Sequence, residues 1–204
     1  CWPADLLAGV AAAATGAGLP LHLDGARLWN AAVAAGVSEA ALCAPFVTAS
    51  VCFSKGLGAP VGSALVGPRP LIEAAHRLRK RWGGGMRQVG ILAAGARHAL
   101  DHHRGRLADD HAHARALAAA VAGAPGVQLD LATVETNIVR FDVPGLAATA
   151  VVEAARERGV LLSAFGPHTL RAVLHLDVSG AEARQAGERL AEAVAQLGRA
   201  GDRP

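Results

Sequence analysis

Phe46-Val47-Thr48-Ala49-Ser50-Val51-Cys52-Phe53-Ser54-Lys55-Gly56-Leu57-Gly58 alternates apolar with small polar side chains as far as Phe53, then breaks into a glycine turn. A period of two is the mark of a strand, so Phe46–Phe53 is expected as a strand with Lys55 at its end. Upstream, Leu19–Leu23 reads as a shorter apolar strand, followed by Asp24 and, three residues on, by Arg27. In open α/β sheets ligands gather beyond the carboxyl ends of the strands. An acid, a guanidinium and an amine stand at such ends here. The amine is a selective choice: of the 20 Lys and Arg residues, only Lys55 and Lys80 are lysines. A guanidinium supplies charge but cannot condense with an aldehyde, whereas a lysine amine can.

Outward from these two strands the chain alternates helix and strand. Asp5–Ala14 is an alanine-rich helix ended by Gly16 and Gly18, and Leu28–Ala35 is a second helix stopped by Gly36. Val61–Val66 returns as a strand, Leu71–Lys80 is a helix with a basic face, and Gly83-Gly84-Gly85 separates it from a long helix running from Met86 past Leu100. From about Arg104 a second module begins. It holds a helix at 109–121, strands at 127–131 and 137–143, a helix at 146–158, strands at 160–164 and 170–176, and a last helix from Ala181. That last helix sets Ala183, Gly187, Leu190, Val194 and Leu197 on one face. The expected fold is α/β: residues 1–104 carry a mixed sheet with helices, and residues 105–204 form a small α+β domain.

Composition narrows the function. Hydrophobic residues make up 52% and aromatics 3%, with no tyrosine, which suits a globular α/β protein and not an aromatic-faced RNA platform. A net charge of +3 with dispersed arginines gives no basic stripe, so no nucleic-acid partner is expected. Cys1, Cys43 and Cys52 lack a C-x-x-C spacing and read as reduced thiols. His102, His103, His111 and His113, beside Asp109 and Asp110, read as a solvated helix face, and no metal is expected. The uncharged window Leu6–Leu23 contains three glycines and Pro20, so it is not a membrane span. No basic-then-apolar leader is visible, and the expectation is a soluble, cytoplasmic protein. The chain opens on Cys1 rather than Met and reads as part of something longer.

Acid, arginine and lysine in this order suggest a pyridoxal-phosphate (PLP) site. Such a site needs an amine for the aldehyde, a carboxylate for the pyridine nitrogen, donors for the phosphate and a cation for the substrate carboxylate. Lys55 and Asp24 meet the first two needs, and Arg27 can reach the cofactor oxygen or a substrate carboxylate.

Four segments make the resemblance specific. His22-Leu23-Asp24-Gly25-Ala26-Arg27 resembles the HxDGAR segment of threonine aldolases, PLP enzymes of fold type I. Val51–Ser63 resembles their Schiff-base lysine segment. Arg79-Lys80-Arg81-Trp82-Gly83-Gly84-Gly85-Met86-Arg87-Gln88 is similar to RKxxGGGMRQ, and Leu170–Ser179 to RxVxHLDVS. The resemblance implies that Lys55 holds the cofactor, that Asp24 pairs with its ring nitrogen, and that Arg27 lies near its oxygen and the substrate carboxylate. It implies further that Lys80 and Arg87 act at the cofactor across a subunit contact, and that Arg171 binds the substrate carboxylate from the small domain. Residues 1–104 would then be the later half of the PLP-binding large domain. The substrate would be a small β-hydroxy amino acid, L-threonine or L-allo-threonine, cleaved to glycine and an aldehyde by a homodimer or homotetramer when complete. The family's phosphate cup and ring-stacking histidine precede its HxDGAR segment and have no counterpart here. A catalytically silent fragment or assembly partner, and another fold type I lyase or aminotransferase, are therefore the rival expectations.

Overall fold

The computed structural model describes residues 1–201. It divides into two compact units, Cys1–Leu107 and Ala108–Pro204.

The first unit carries a three-stranded sheet in the order β1-β2-β3, with β1 His22–Gly25, β2 Thr48–Cys52 and β3 Ser63–Val66. β1 and β2 run parallel, with Asp24 opposite Ser50 and Gly25 opposite Val51, while β3 returns antiparallel to β2. Gly25 is required by this pairing, because a Cβ there would lie 2.9 Å from the Ser50 carbonyl oxygen. β1 starts later than the apolar run suggests. Pro20 has no N–H for a ladder, and the Leu21 carbonyl instead accepts from the Val47 N–H at 2.9 Å.

Of the helices in this unit, α2 (Leu28–Ala35) buries Leu28, Asn30 and Ala32 and ends at Gly36 in the left-handed conformation (φ 66°) that glycine tolerates. α3 (Glu39–Cys43) was not expected; it is five residues long, too short to show a period, and is capped by the Ser38 hydroxyl accepting from the Ala41 N–H at 3.2 Å. α1 (Ala4–Gly16) and α4 (Arg69–Arg81) bury no side chain. α5 spans Gly90–His102. Met86–Val89, expected to open that helix, lies outside it, and Gln88 there has a φ of 52°.

In the second unit β4 (Ile138–Asp142), β6 (Thr169–Val173) and β5 (Ser163–Ala164) form an antiparallel sheet in the order β4-β6-β5. α6 (Leu107–Ala122), α7 (Ala148–Glu157) and α8 (Gly180–Gly201) supply its core with Leu117, Val121, Val151, Leu190 and Val194, packed against Val139, Phe141 and Leu170. α6 and α8 cross at Gly187, where a Cβ would come within 2.8 Å of both the Ala120 Cβ and the Leu117 carbonyl. α8 opens with a capping box. Ser179 donates its N–H and hydroxyl to Glu182 at 2.8 and 2.7 Å, and these bonds hold the Glu182 carboxyl below its ordinary pKa.

Two expectations for this unit fail, and the strand expected at 160–164 is met only at Ser163–Ala164. Residues 127–131 alternate like a strand but contribute only an isolated bridge, Gln128 to Asp142; Val127 and Leu129 pack against the core from a loop instead. The histidine face is not solvated throughout: Asp110 and His111 are buried, and His113 lies against Gly180. Burial pushes the His111 imidazole below its ordinary pKa, with Arg115 adding to the shift and Asp110 opposing it. Among the described residues no group of three His, Cys, Asp or Glu could hold a metal ion, and no helix is long and apolar enough to cross a membrane.

Candidate active site

Because β1 and β2 run parallel, the loops that follow them leave the sheet at the same end. The first begins at Asp24, whose exposed carboxylate accepts from the Ala26 N–H at 3.2 Å. Arg27 follows as the residue before α2, half-buried, with its Nε shielded from solvent. The second loop carries Lys55, whose side chain is exposed.

Three backbone hydrogen bonds fix the Lys55 loop. The Gly58 N–H donates to the Lys55 carbonyl, the Ala59 N–H to the Phe53 carbonyl and the Phe53 N–H to the Gly62 carbonyl, each at 2.9 Å. Gly58 takes a φ of 68°, which an L side chain rarely adopts. Side chains reinforce the turn. The Trp29 and Phe53 rings meet at 5.7 Å, and Asn30, 2% exposed, packs so tightly on Gly56 that a Cβ there would lie 2.3 Å from its Oδ1. His103 donates from Nδ1 to the carbonyl of the buried Leu57 at 2.6 Å. The exposed amine thus stands on a backbone held from several directions, which is how a reactive group is pre-organised.

Asn30 and His103 were missed by the sequence reading. Asn30 had a legible signal, being the one polar side chain of the helix LWNAAVAA. His103 had none, since its partner is 46 residues away.

Lys80 lies in the last turn of α4 and Arg87 just beyond the glycine triplet, both exposed. The triplet is shaped by these long side chains: a Cβ on Gly85 would meet the Lys80 Cδ at 2.8 Å, and one on Gly84 the Arg79 Cγ at 2.9 Å. Arg171 belongs to the second unit. It sits on β6 opposite Arg140 of β4, and its guanidinium lies 5.8 Å from the Phe165 ring.

A groove of about 450 Å³ lies elsewhere in the first unit, lined by Trp29, Phe46, Val47 and Val51 among others, with the Arg104–Glu39 ion pair (2.6 Å) at its wall. None of Asp24, Arg27 and Lys55 lines it.

Residues 1–144 match the beta-eliminating lyase family, and the chain belongs to that family. A probable low-specificity L-threonine aldolase of Arabidopsis thaliana is 40% identical over 182 residues, which is 88% of this chain and 51% of that protein. Among solved structures, a putative L-allo-threonine aldolase from Listeria monocytogenes superposes with a TM-score of 0.77 at 22% identity, covering 92% of this chain and 55% of that one. The alpha-aminoadipate aminotransferase of Thermus thermophilus, bound to N-(5'-phosphopyridoxyl)-L-leucine, superposes at 0.68 with 16% identity, over 97% of this chain and 56% of that one. These likenesses establish the fold as that of the type I PLP enzymes. The chain spans about half the length of the curated relatives it matches.

Proposed function

We propose that this chain forms part of a PLP-dependent aldolase that cleaves L-threonine or L-allo-threonine to glycine and acetaldehyde, and longer β-hydroxy amino acids to the corresponding aldehyde. Residues 1–104 would be the later half of its cofactor-binding domain and residues 105–204 its small domain. One observation carries the reading: an exposed lysine on a rigid turn and an exposed carboxylate leave neighbouring parallel strands at the same sheet end. Relatives about 40% identical that are named as threonine aldolases support the choice within the fold.

The residues present fit the cofactor. The exposed amine of Lys55 and the exposed carboxylate of Asp24, both at the same sheet end, match an aldehyde and a pyridine nitrogen in chemistry. PLP, when bound, supplies an electron sink for the pair released as the Cα–Cβ bond breaks. Lys55 would hold it through the Nζ amine. Asp24 would keep the ring nitrogen protonated, since a neighbouring carboxylate favours the cationic form. Arg27 would neutralise the cofactor oxygen and help receive the substrate carboxylate, with Arg171 the main carboxylate ligand. Lys80 and Arg87 would add positive charge at the cofactor from a neighbouring subunit, in a homodimer or homotetramer.

Incubating the PLP-saturated chain with L-threonine tests the reaction class. Turnover, however slow, is expected to release glycine and acetaldehyde in equal amounts and to vanish in Lys55→Ala. Ammonia and a keto acid instead would assign it to the eliminating or transaminating branch.

A further inference from the structure

We propose that Arg140 and Arg171 together form a binding site for a small dicarboxylate on the open face of the second sheet. Every residue of the site belongs to the second unit.

Strand alternation creates it. Val139, Phe141, Leu170 and Ala172 turn into the core, so Arg140 and Arg171 project from the other face. The two stand directly opposite each other in the antiparallel ladder, with Ser163 of β5 opposite Arg171 on its other side. Opposed residues have Cβ atoms roughly 4.5–5.5 Å apart, and like charges so placed repel. Among the described residues no carboxylate makes an ion pair with either arginine. The nearest acid along this face, Asp142, is one pleat away and accepts from the Thr169 hydroxyl at 2.5 Å.

Each guanidinium is steadied instead by one aromatic ring. The Cζ atoms of Arg140 and Arg171 both lie 5.8 Å from the centre of Phe165. That ring is 61% exposed, and its backbone N–H is tied to the Thr169 carbonyl at 2.8 Å. A large apolar side chain left in water while bracing two unneutralised cations leaves both of them open to an incoming anion. One carboxylate satisfies one guanidinium fork; a ligand with two satisfies both and relieves their repulsion. Arg171 alone suffices for an α-carboxylate. A ligand with two carboxylates therefore suits the Arg140–Arg171 pair better than one with a single carboxylate.

Titrating the chain at pH 7 and low ionic strength, where screening is least, tests this by calorimetry with malonate, acetate and inorganic phosphate as probes. Malonate is expected to bind at least about tenfold tighter than acetate, the worth of one added charge-assisted pair. Arg140→Leu should reduce malonate to the acetate level and leave acetate within about twofold, while Arg171→Leu weakens both. Arg140 is exposed, so its variants should retain the wild-type circular dichroism, and Arg140→Lys should restore part of the malonate preference. Equal binding of acetate and malonate, or indifference to Arg140→Leu, would overturn the site. Phosphate binding as tightly as malonate would reduce it to a non-selective charged patch and overturn the dicarboxylate assignment. Malonate binding with the expected arginine dependence, in a chain whose Lys55 never captures PLP, would sink the aldolase reading and leave this site standing.

Discussion

In the second unit, three helices close over one face of the sheet and enclose Phe141, Leu170, Val139, Val151, Leu190 and Val194, each 2% exposed or less. In the first unit α1 and α4 contain no fully buried residue, Trp82 and Ile91 stand 78% and 80% exposed, and the separate cluster of buried residues comprises Leu57, Ala59, Ala99 and Leu107. Hydrophobic burial is the main favourable term in folding, so stability is concentrated in the unit that carries Arg171. The unit bearing Asp24 and Lys55 has a local brace around its turn and little behind it. On the proposed reading, a chain covering half of its relatives' length can present the acid and the amine at one sheet end and still hold PLP weakly. Exposed apolar surface of this kind also favours association.

The largest effect that would sharpen this contrast is in the second core. Phe141→Ala should cost about 3–5 kcal/mol and lower the denaturant midpoint of the second unit. Hydrogen exchange of the wild type should show β4 and β6 protected far longer than β1 and β3. Equal protection in both sheets would break the comparison.

Next in size is the brace of the first unit. Gly56→Ala pushes a methyl group against buried Asn30, and overpacking of this kind costs about 1–3 kcal/mol. The variant should slow capture of PLP by Lys55 and leave exchange in the second sheet unchanged. Unaltered capture would mean that the turn does not depend on Asn30.

The smallest effect is a pH dependence confined to the second unit. His111 has its pKa lowered in the folded state, so the unfolded chain binds the proton first as pH falls. Its contribution is complete above the ordinary imidazole range, about 6.5, and is lost as pH drops from there to the folded-state value. Melting temperatures of the second unit should fall across that window, and His111→Gln should flatten the fall. A slope unchanged in the variant would assign the dependence to other groups.

Much of this was legible because local signals and tertiary structure agreed. α2 runs from Leu28 to Ala35 with its glycine stop as the pattern requires, and the residues at the ends of β1 and β2 follow from alternation and the glycines after it. What escaped depends on distant partners. Residues 127–131 have a strand's alternation but lie beside a β4 whose ladder is made with β6. His103 and His111 look alike in sequence; one serves the Lys55 turn and the other is buried, and only the folded chain distinguishes them. Arg140 is an ordinary charged position in a strand by sequence, and only the register places it opposite Arg171.

The amine-and-acid arrangement is tested most directly by saturating the chain with PLP, reducing with borohydride and mapping the phosphopyridoxyl group by peptide mass. The account predicts the label on Lys55 in clear preference to Lys80, and a marked loss of that label in Asp24→Asn. A label shared evenly between the two lysines, or absent from Lys55, would contradict it.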